Sequence, residues 1–221
     1  MKKLFLSLWL IIPVLSIAAQ GKPYSDSAKF SFRLNPIRLF EGTFAFNYEQ
    51  RIASHWSLDI TAMGTYGTKQ GLSGAYMNVA MADFTTNGTS YNTSMVMGWG
   101  VMAQPKHFLF SSKQTPVGAY AAPFAMFRRV SIAGERYVGG FAPWPQMEEA
   151  TRNLNIYAVG VMLGGKVPIL KVYCIDFYVG GAFRLSNYYG SEKTFTKYKR
   201  WKELDYSGVL PTAGISIGIL R

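Results

Sequence analysis

Pro211-Thr212-Ala213-Gly214-Ile215-Ser216-Ile217-Gly218-Ile219 puts Ala213, Ile215, Ile217 and Ile219 on one side of an extended chain. Thr212, Gly214, Ser216 and Gly218 fall on the other. Successive side chains of a β-strand point to opposite faces, so this two-residue period describes a ribbon with one oily and one small or polar flank. Seven more segments upstream carry the same alternation, and no segment carries a convincing helical period. An even number of antiparallel strands lets a sheet close without an open edge, which a bilayer cannot tolerate. The chain is therefore expected to be all-β, an eight-stranded antiparallel up-and-down transmembrane β-barrel.

The strands are expected at Ala28–Leu39, Thr43–Ile52, Trp56–Tyr66, Met95–Pro105, Val117–Arg129, Leu154–Lys166, Lys171–Asn187 and Pro211–Ile219. In the first, Phe30, Phe32 and Leu34 oppose Ser31, Arg33 and Asn35. In the second, Phe44, Phe46 and Tyr48 oppose Asn47, Glu49 and Arg51, and in the third Trp56, Leu58 and Ile60 oppose Ser57, Asp59 and Thr61. The fourth sets Met97, Trp99 and Val101 against Gly98, Gly100 and Gln104, and the sixth sets Tyr157, Val159, Val161 and Leu163 against Ala158, Gly160, Met162 and Gly164. The seventh sets Tyr173, Val179, Phe183 and Leu185 against Asp176, Arg184 and Ser186. In the fifth, Tyr120, Ala122, Phe124 and Met126 share a face, and Pro123 is expected to mark a bulge or bend because it cannot donate to the ladder. With both termini on the periplasmic side, 53–55, 106–116 and 167–170 become periplasmic turns. The outer loops are then 40–42, 67–94, 130–153 and 188–207, and apart from the first they are the long ones, an asymmetry such barrels show.

The N-terminus reads as a secretory leader. Lys2 and Lys3 precede an apolar run from Leu4 to Leu15, and Ser16-Ile17-Ala18-Ala19 offers small residues for cleavage. Residues 1–19 are expected to be a cleaved signal peptide and residues 20–221 one barrel domain. No cysteine lies near the cleavage region, and the single Cys174 cannot form an internal disulfide, so stability must come from a closed hydrogen-bonded sheet. Aromatics make up 15% of residues, nearly as many as the 16% that are charged, and there are 22 glycines. That balance suits aromatic girdles around a tightly filled interior.

An eight-stranded barrel is only wide enough for side chains to fill it. The inward polar list is Arg33, Asn47, Glu49, Arg51, Asp59, Asp176 and Arg184, and its mixed signs are expected to pair as a plug. Lys197, Lys199, Arg200, Trp201 and Lys202 interleave cations and aromatics in the last outer loop, a pattern suited to outer-membrane lipid or the phosphates of lipopolysaccharide. No His/Cys/carboxylate cluster has metal spacing and no glycine-rich strand-to-helix turn suggests a nucleotide, so no cofactor is expected. Nor is a nucleic-acid partner.

The chain resembles the small OmpA/OmpX-type outer-membrane barrels, and within them an uncharacterised group. The resemblance rests on Phe32-Arg33-Leu34-Asn35-Pro36, on Gly42-Thr43-Phe44-Ala45-Phe46-Asn47-Tyr48-Glu49-Gln50-Arg51 and on Trp56-Ser57-Leu58. It departs from such barrels in closing on Gly218-Ile219-Leu220-Arg221 rather than an aromatic residue that the insertion machinery reads. The resemblance implies the outer membrane of a gram-negative-type bacterium and assembly by barrel-insertion machinery, and it implies no established activity. The role expected for such a barrel is non-catalytic, in envelope structure, adhesion or lipopolysaccharide contact. Two alternatives stay open. One is a lipid A-modifying hydrolase, for which Phe183-Arg184-Leu185-Ser186-Asn187 loosely matches a serine-asparagine signature. Arg184 stands at its base position, however, and the only histidines, His55 and His107, fall in turns at the far end. The other is a soluble lipocalin-like binder, which would turn the apolar flank inward around a ligand.

Overall fold

The computed structural model describes residues 29–68, 84–86, 89–109, 117–138, 146–169, 172–189, 204 and 206–221. The expected signal peptide, residues 1–19, lies outside them. In chain order the elements are β1 (Phe30–Leu34), α1 (Ile37–Phe40), β2 (Thr43–Arg51), β3 (Trp56–Thr68), β4 (Phe84–Thr86), β5 (Thr89–Phe108), β6 (Gly118–Val138), β7 (Gln146–Ile169), β8 (Tyr173–Tyr189) and β9 (Gly208–Leu220). All strand pairs are antiparallel. β3 pairs with β5, and β1 pairs with β9 through Ser31↔Leu220 to Leu34↔Ile217, so eight strands close into an up-and-down ring. β4 is a short ribbon on the tip of β5, outside the ring.

The wall faces the way its two-residue period demands. Phe44 is 53% exposed, Ile60 41%, Val161 55% and Ile217 48%, while Arg33 is 1% and Glu49 0% exposed. The oily flank is outside and the charged flank inside. Interior space is shared out by pairing bulky residues with glycines. Tyr120 lies opposite Gly164, Phe124 opposite Gly160, and Tyr178 opposite Gly214. A Cβ at any of these glycines would collide with the facing ring, and one at Gly218 would collide with Arg33.

Several strand limits differ from expectation. β1 stops at Leu34, because Pro36 has no N–H and the Asn35 side-chain oxygen accepts from the N–H groups of Ile37 (3.1 Å) and Arg38 (3.3 Å), starting α1. Gly42, at φ 65°, then reverses the chain into β2. The expected 106–116 turn is shortened because β5 runs to Phe108. The expected 130–153 loop is mostly strand, since β6 and β7 stay paired out to Val138↔Gln146.

The fifth expected strand, now β6, turns Tyr120, Ala122 and Phe124 inward, all three buried. No bulge forms at Pro123, which pairs in register with Val161. Instead the β5–β6 ladder lapses between Ala103↔Ala125 and His107↔Ala121 without slipping, because Pro105 and Pro123 fall opposite one another and neither can donate. The register shift on this seam lies elsewhere, between Thr93 and Met95.

Glycine placement generates a test. Gly164→Val should lower stability by about 1–3 kcal/mol through overpacking against Tyr120. Gly181→Val, whose Cβ would meet nothing within 4 Å, should leave it nearly unchanged. Urea titration of the refolded proteins checks the contrast.

Candidate functional site

Six ionised side chains meet in the half of the lumen nearest the termini. Arg33 comes from β1, Glu49 from β2, Asp59 from β3, Lys106 from β5, Lys166 from β7 and Asp176 from β8, each no more than 1% exposed. Three are cations and three are anions, so the group is internally neutral.

Each contact follows from register. Glu49 and Asp59 sit directly opposite one another on β2 and β3, a like-charge juxtaposition that is unfavourable unless cations bridge it. Arg33 does so, with Nη2 2.7 Å from Glu49 and 2.5 Å from Asp59, while its Nη1 contacts Asp176. Gly218, opposite Arg33 on β9, leaves room for the stem of that side chain. The Lys106 ammonium touches all three carboxylates, at 2.6 Å from Asp176, 2.9 Å from Asp59 and 3.3 Å from Glu49. Lys166 lies opposite Asp176 in register but reaches across the lumen to Glu49 at 2.5 Å and Ser31 Oγ at 3.3 Å. Two of the remaining carboxylate oxygens accept neutral donors, Ser57 Oγ–H to Glu49 Oε1 (2.7 Å) and Tyr120 O–H to Asp176 Oδ1 (2.7 Å), while buried Asp59 Oδ1 and Arg33 Nε have no hydrogen-bond partner. With Tyr120 from β6, every strand of the ring supplies a group to this layer or the space it needs.

A carboxylate trio can hold a divalent cation, and ligand oxygens of Glu49, Asp59 and Asp176 lie within 4.8 Å of one another. Here the Lys106 ammonium stands in contact with all three and bridges them as a cross-brace.

The expected polar list divides. Arg33, Glu49, Asp59 and Asp176 converge. Asn47 is buried one layer further along, donating to Thr61 Oγ1 at 2.6 Å. Arg51 ends β2 at the rim and turns its guanidinium onto the carbonyls of Ala53 (3.0 Å) and Ser54 (3.2 Å). Arg184 is eight residues beyond Asp176 on β8, about 26 Å along a strand, and its Nε donates to Ser186 Oγ at 3.2 Å. The 197–202 run lies outside the described residues. Lys106 and Lys166 went unnoticed, although each continues an inward series at two-residue spacing: Gly98, Gly100, Gln104, and Ala158 to Gly164. Arg128 likewise continues the Tyr120 series, and it donates to Thr43 and Thr65 Oγ1 at 2.7 Å each.

Ser186 is fully buried, and its hydroxyl donates to the Tyr206 carbonyl at 3.0 Å. His55 lies in the turn between β2 and β3. His107, expected in a turn, is instead an outward residue of β5 opposite Trp56. The two imidazoles lie 6.3 Å apart at the end of the barrel remote from Ser186.

Removing one member of the cluster leaves a buried charge uncompensated. Glu49→Gln should cost about 3–5 kcal/mol. Lys166→Met alone should also destabilise, whereas the double variant restores neutrality and should recover about half of the summed loss. Urea unfolding of the four proteins measures the coupling, and simple additivity would argue against it.

Scans against family models, curated proteins and solved structures each return no match for this chain.

Proposed function

We propose that the chain is an integral outer-membrane barrel of the small OmpA/OmpX type, exported by a cleaved leader and placed by the barrel-insertion machinery. On this reading it is non-catalytic, has a side-chain-filled lumen and exposes loops for envelope structure, adhesion or lipopolysaccharide contact. The observation that carries the reading is inverted polarity: a continuous apolar surface outside a layer of buried, neutralised charge. A soluble barrel has the opposite need, because water would meet its outer face and an apolar ligand its inner one.

Two features support it. Outward Trp56 and Tyr173 stand near the terminal end of the wall, and outward Tyr66, Trp99, Tyr157 and Tyr189 near the loop end, matching two interfacial girdles. The ring strands β3 and β9 are 13 residues long, enough for a tilted crossing that needs about 9–11. A bore of eight strands blocked by the ion cluster favours a plug over a channel. The hydrolase alternative is disfavoured by Ser186, which has Arg184 beside it and both histidines at the other end of the wall.

Two measurements test the proposal. Expressed with its leader, the protein should sediment with outer membranes and migrate differently on a gel before and after boiling. Recovery in the soluble fraction without detergent, with no such shift, would contradict it. Planar-bilayer recordings of the purified protein should show no stable conductance steps.

A further inference from the structure

The outer wall changes character at one register row. Outward residues on three adjacent strands run apolar up to Phe127 on β6, Tyr157 on β7 and Leu185 on β8, which are paired across the sheet. One outward step toward the loops, the row reads Arg129↔Asn155↔Asn187, with Trp99 of β5 opposite Arg129 on its other side. Polar groups thus begin together, directly above a wall built from Tyr157, Val159, Val161 and Leu163, each at least 47% exposed.

Arg129 is exposed, and its guanidinium lies over the Tyr189 ring at 5.1 Å, a cation–π contact. Among the described residues no carboxylate forms an ion pair with it. Beside it, Asn155 Oδ1 and Asn187 Oδ1 are shielded from solvent yet accept no hydrogen bond. A cation next to two unsatisfied acceptors calls for a ligand with an anionic group and with O–H or N–H donors of its own. The apolar wall just below calls for that ligand to carry acyl chains.

We propose that Arg129, Asn155 and Asn187 bind the phosphorylated headgroup of a glycolipid in the leaflet on the loop side. The guanidinium would pair with a phosphate in two-point fashion, the asparagine side chains, turned outward, would bring their shielded oxygens to accept from sugar hydroxyl or amide N–H groups, and the chains would lie along Tyr157, Val159 and Val161. Phosphatidylcholine, which has a phosphate but no donor, satisfies only the first contact. The inference rests on the membrane reading above and deepens its lipopolysaccharide contact by placing it at three residues of the wall that the cation-rich loop at 197–202 does not include.

The full-length protein, refolded in a neutral maltoside detergent, is titrated with bis-phosphorylated lipid A, phosphatidylglycerol, phosphatidylcholine or inorganic phosphate, and bound lipid is counted by native mass spectrometry. Lipid A should bind in preference to phosphatidylcholine, and an equal concentration of inorganic phosphate should not displace it. Arg129→Gln should weaken lipid A binding about tenfold, with Arg129→Lys intermediate and Lys29→Gln, at the opposite end, without effect. Asn155→Leu with Asn187→Leu should weaken lipid A more than phosphatidylglycerol. Equal binding of lipid A and phosphatidylcholine by the parent, displacement by inorganic phosphate, or parental affinity in Arg129→Gln would each overturn the assignment. The boiling-dependent gel shift is read on the same samples. If it persists while lipid selectivity is absent, the headgroup site fails and the membrane barrel stands; if the parent shows no shift, the membrane reading itself fails.

Discussion

A wall can be oily on its outside only if the polar groups it turns inward satisfy one another, and in this barrel the Lys106 ammonium among three carboxylates does much of that work. Arg33 and Lys166 complete the neutral set. Any one of the six charges alone would be strongly unfavourable in a solvent-shielded lumen, so the cluster forms as a unit or not at all. Its geometry also ties distant strands. Arg33 on β1 spans to β3 across β2 and to β8 across β9, while Lys106 links β5 to β2, β3 and β8. The closure of β1 onto β9 is braced from within by the same contacts that neutralise the charge.

Beyond the charged layer the lumen is filled by shape. Met102, Met126 and Tyr178 pack against Phe124, Ala158, Met162 and Ala182 in the middle. Val96, Val130, Ile132, Leu154 and Ile156 form an apolar stopper toward the loops, joined by Leu204 from the segment before β9. Inward glycines face Tyr120, Phe124 and Tyr178 in the middle of the lumen. The barrel interior changes from ionic at the terminal end to largely apolar toward the loops, where buried Arg128 with Thr43 and Thr65 is a polar exception, while the outer wall stays apolar between its two aromatic rims.

Much of this was legible in the alternation. The period in Pro211–Ile219 and in Thr43–Arg51 fixes which side chains share a face, and Arg33, Glu49, Asp59 and Asp176 follow as one inward set. What the alternation cannot supply is where pairing stops. Lys106 was lost because Pro105 reads as a strand terminus, although β5 continues when its partner β3 remains in register beyond it. Arg51 and Arg184 share the inward face but sit at opposite ends, since facing is local whereas height along the barrel depends on the stagger of every neighbouring pair. The inward turn of Tyr120 and Phe124 was equally hidden. Both are aromatic, and only the glycines opposite them, some 40 residues further along the sequence, make the lumen wide enough to receive them.

The outer wall is what connects this architecture to a role, because an exposed surface of Phe44, Trp99, Val161 and Ile217 suits lipid as strongly as it resists water. The polar row that begins at Arg129 then marks the height at which headgroups would start. The most direct test places a nitroxide spin label at position 161 in one protein and at position 122 in another, both on a Cys174→Ser background and both reconstituted in lipid vesicles. Relaxation by lipid-soluble oxygen should dominate over relaxation by a water-soluble nickel chelate at position 161, and neither should reach position 122. Strong nickel relaxation at position 161 would mean that the oily face meets water, and would contradict the account.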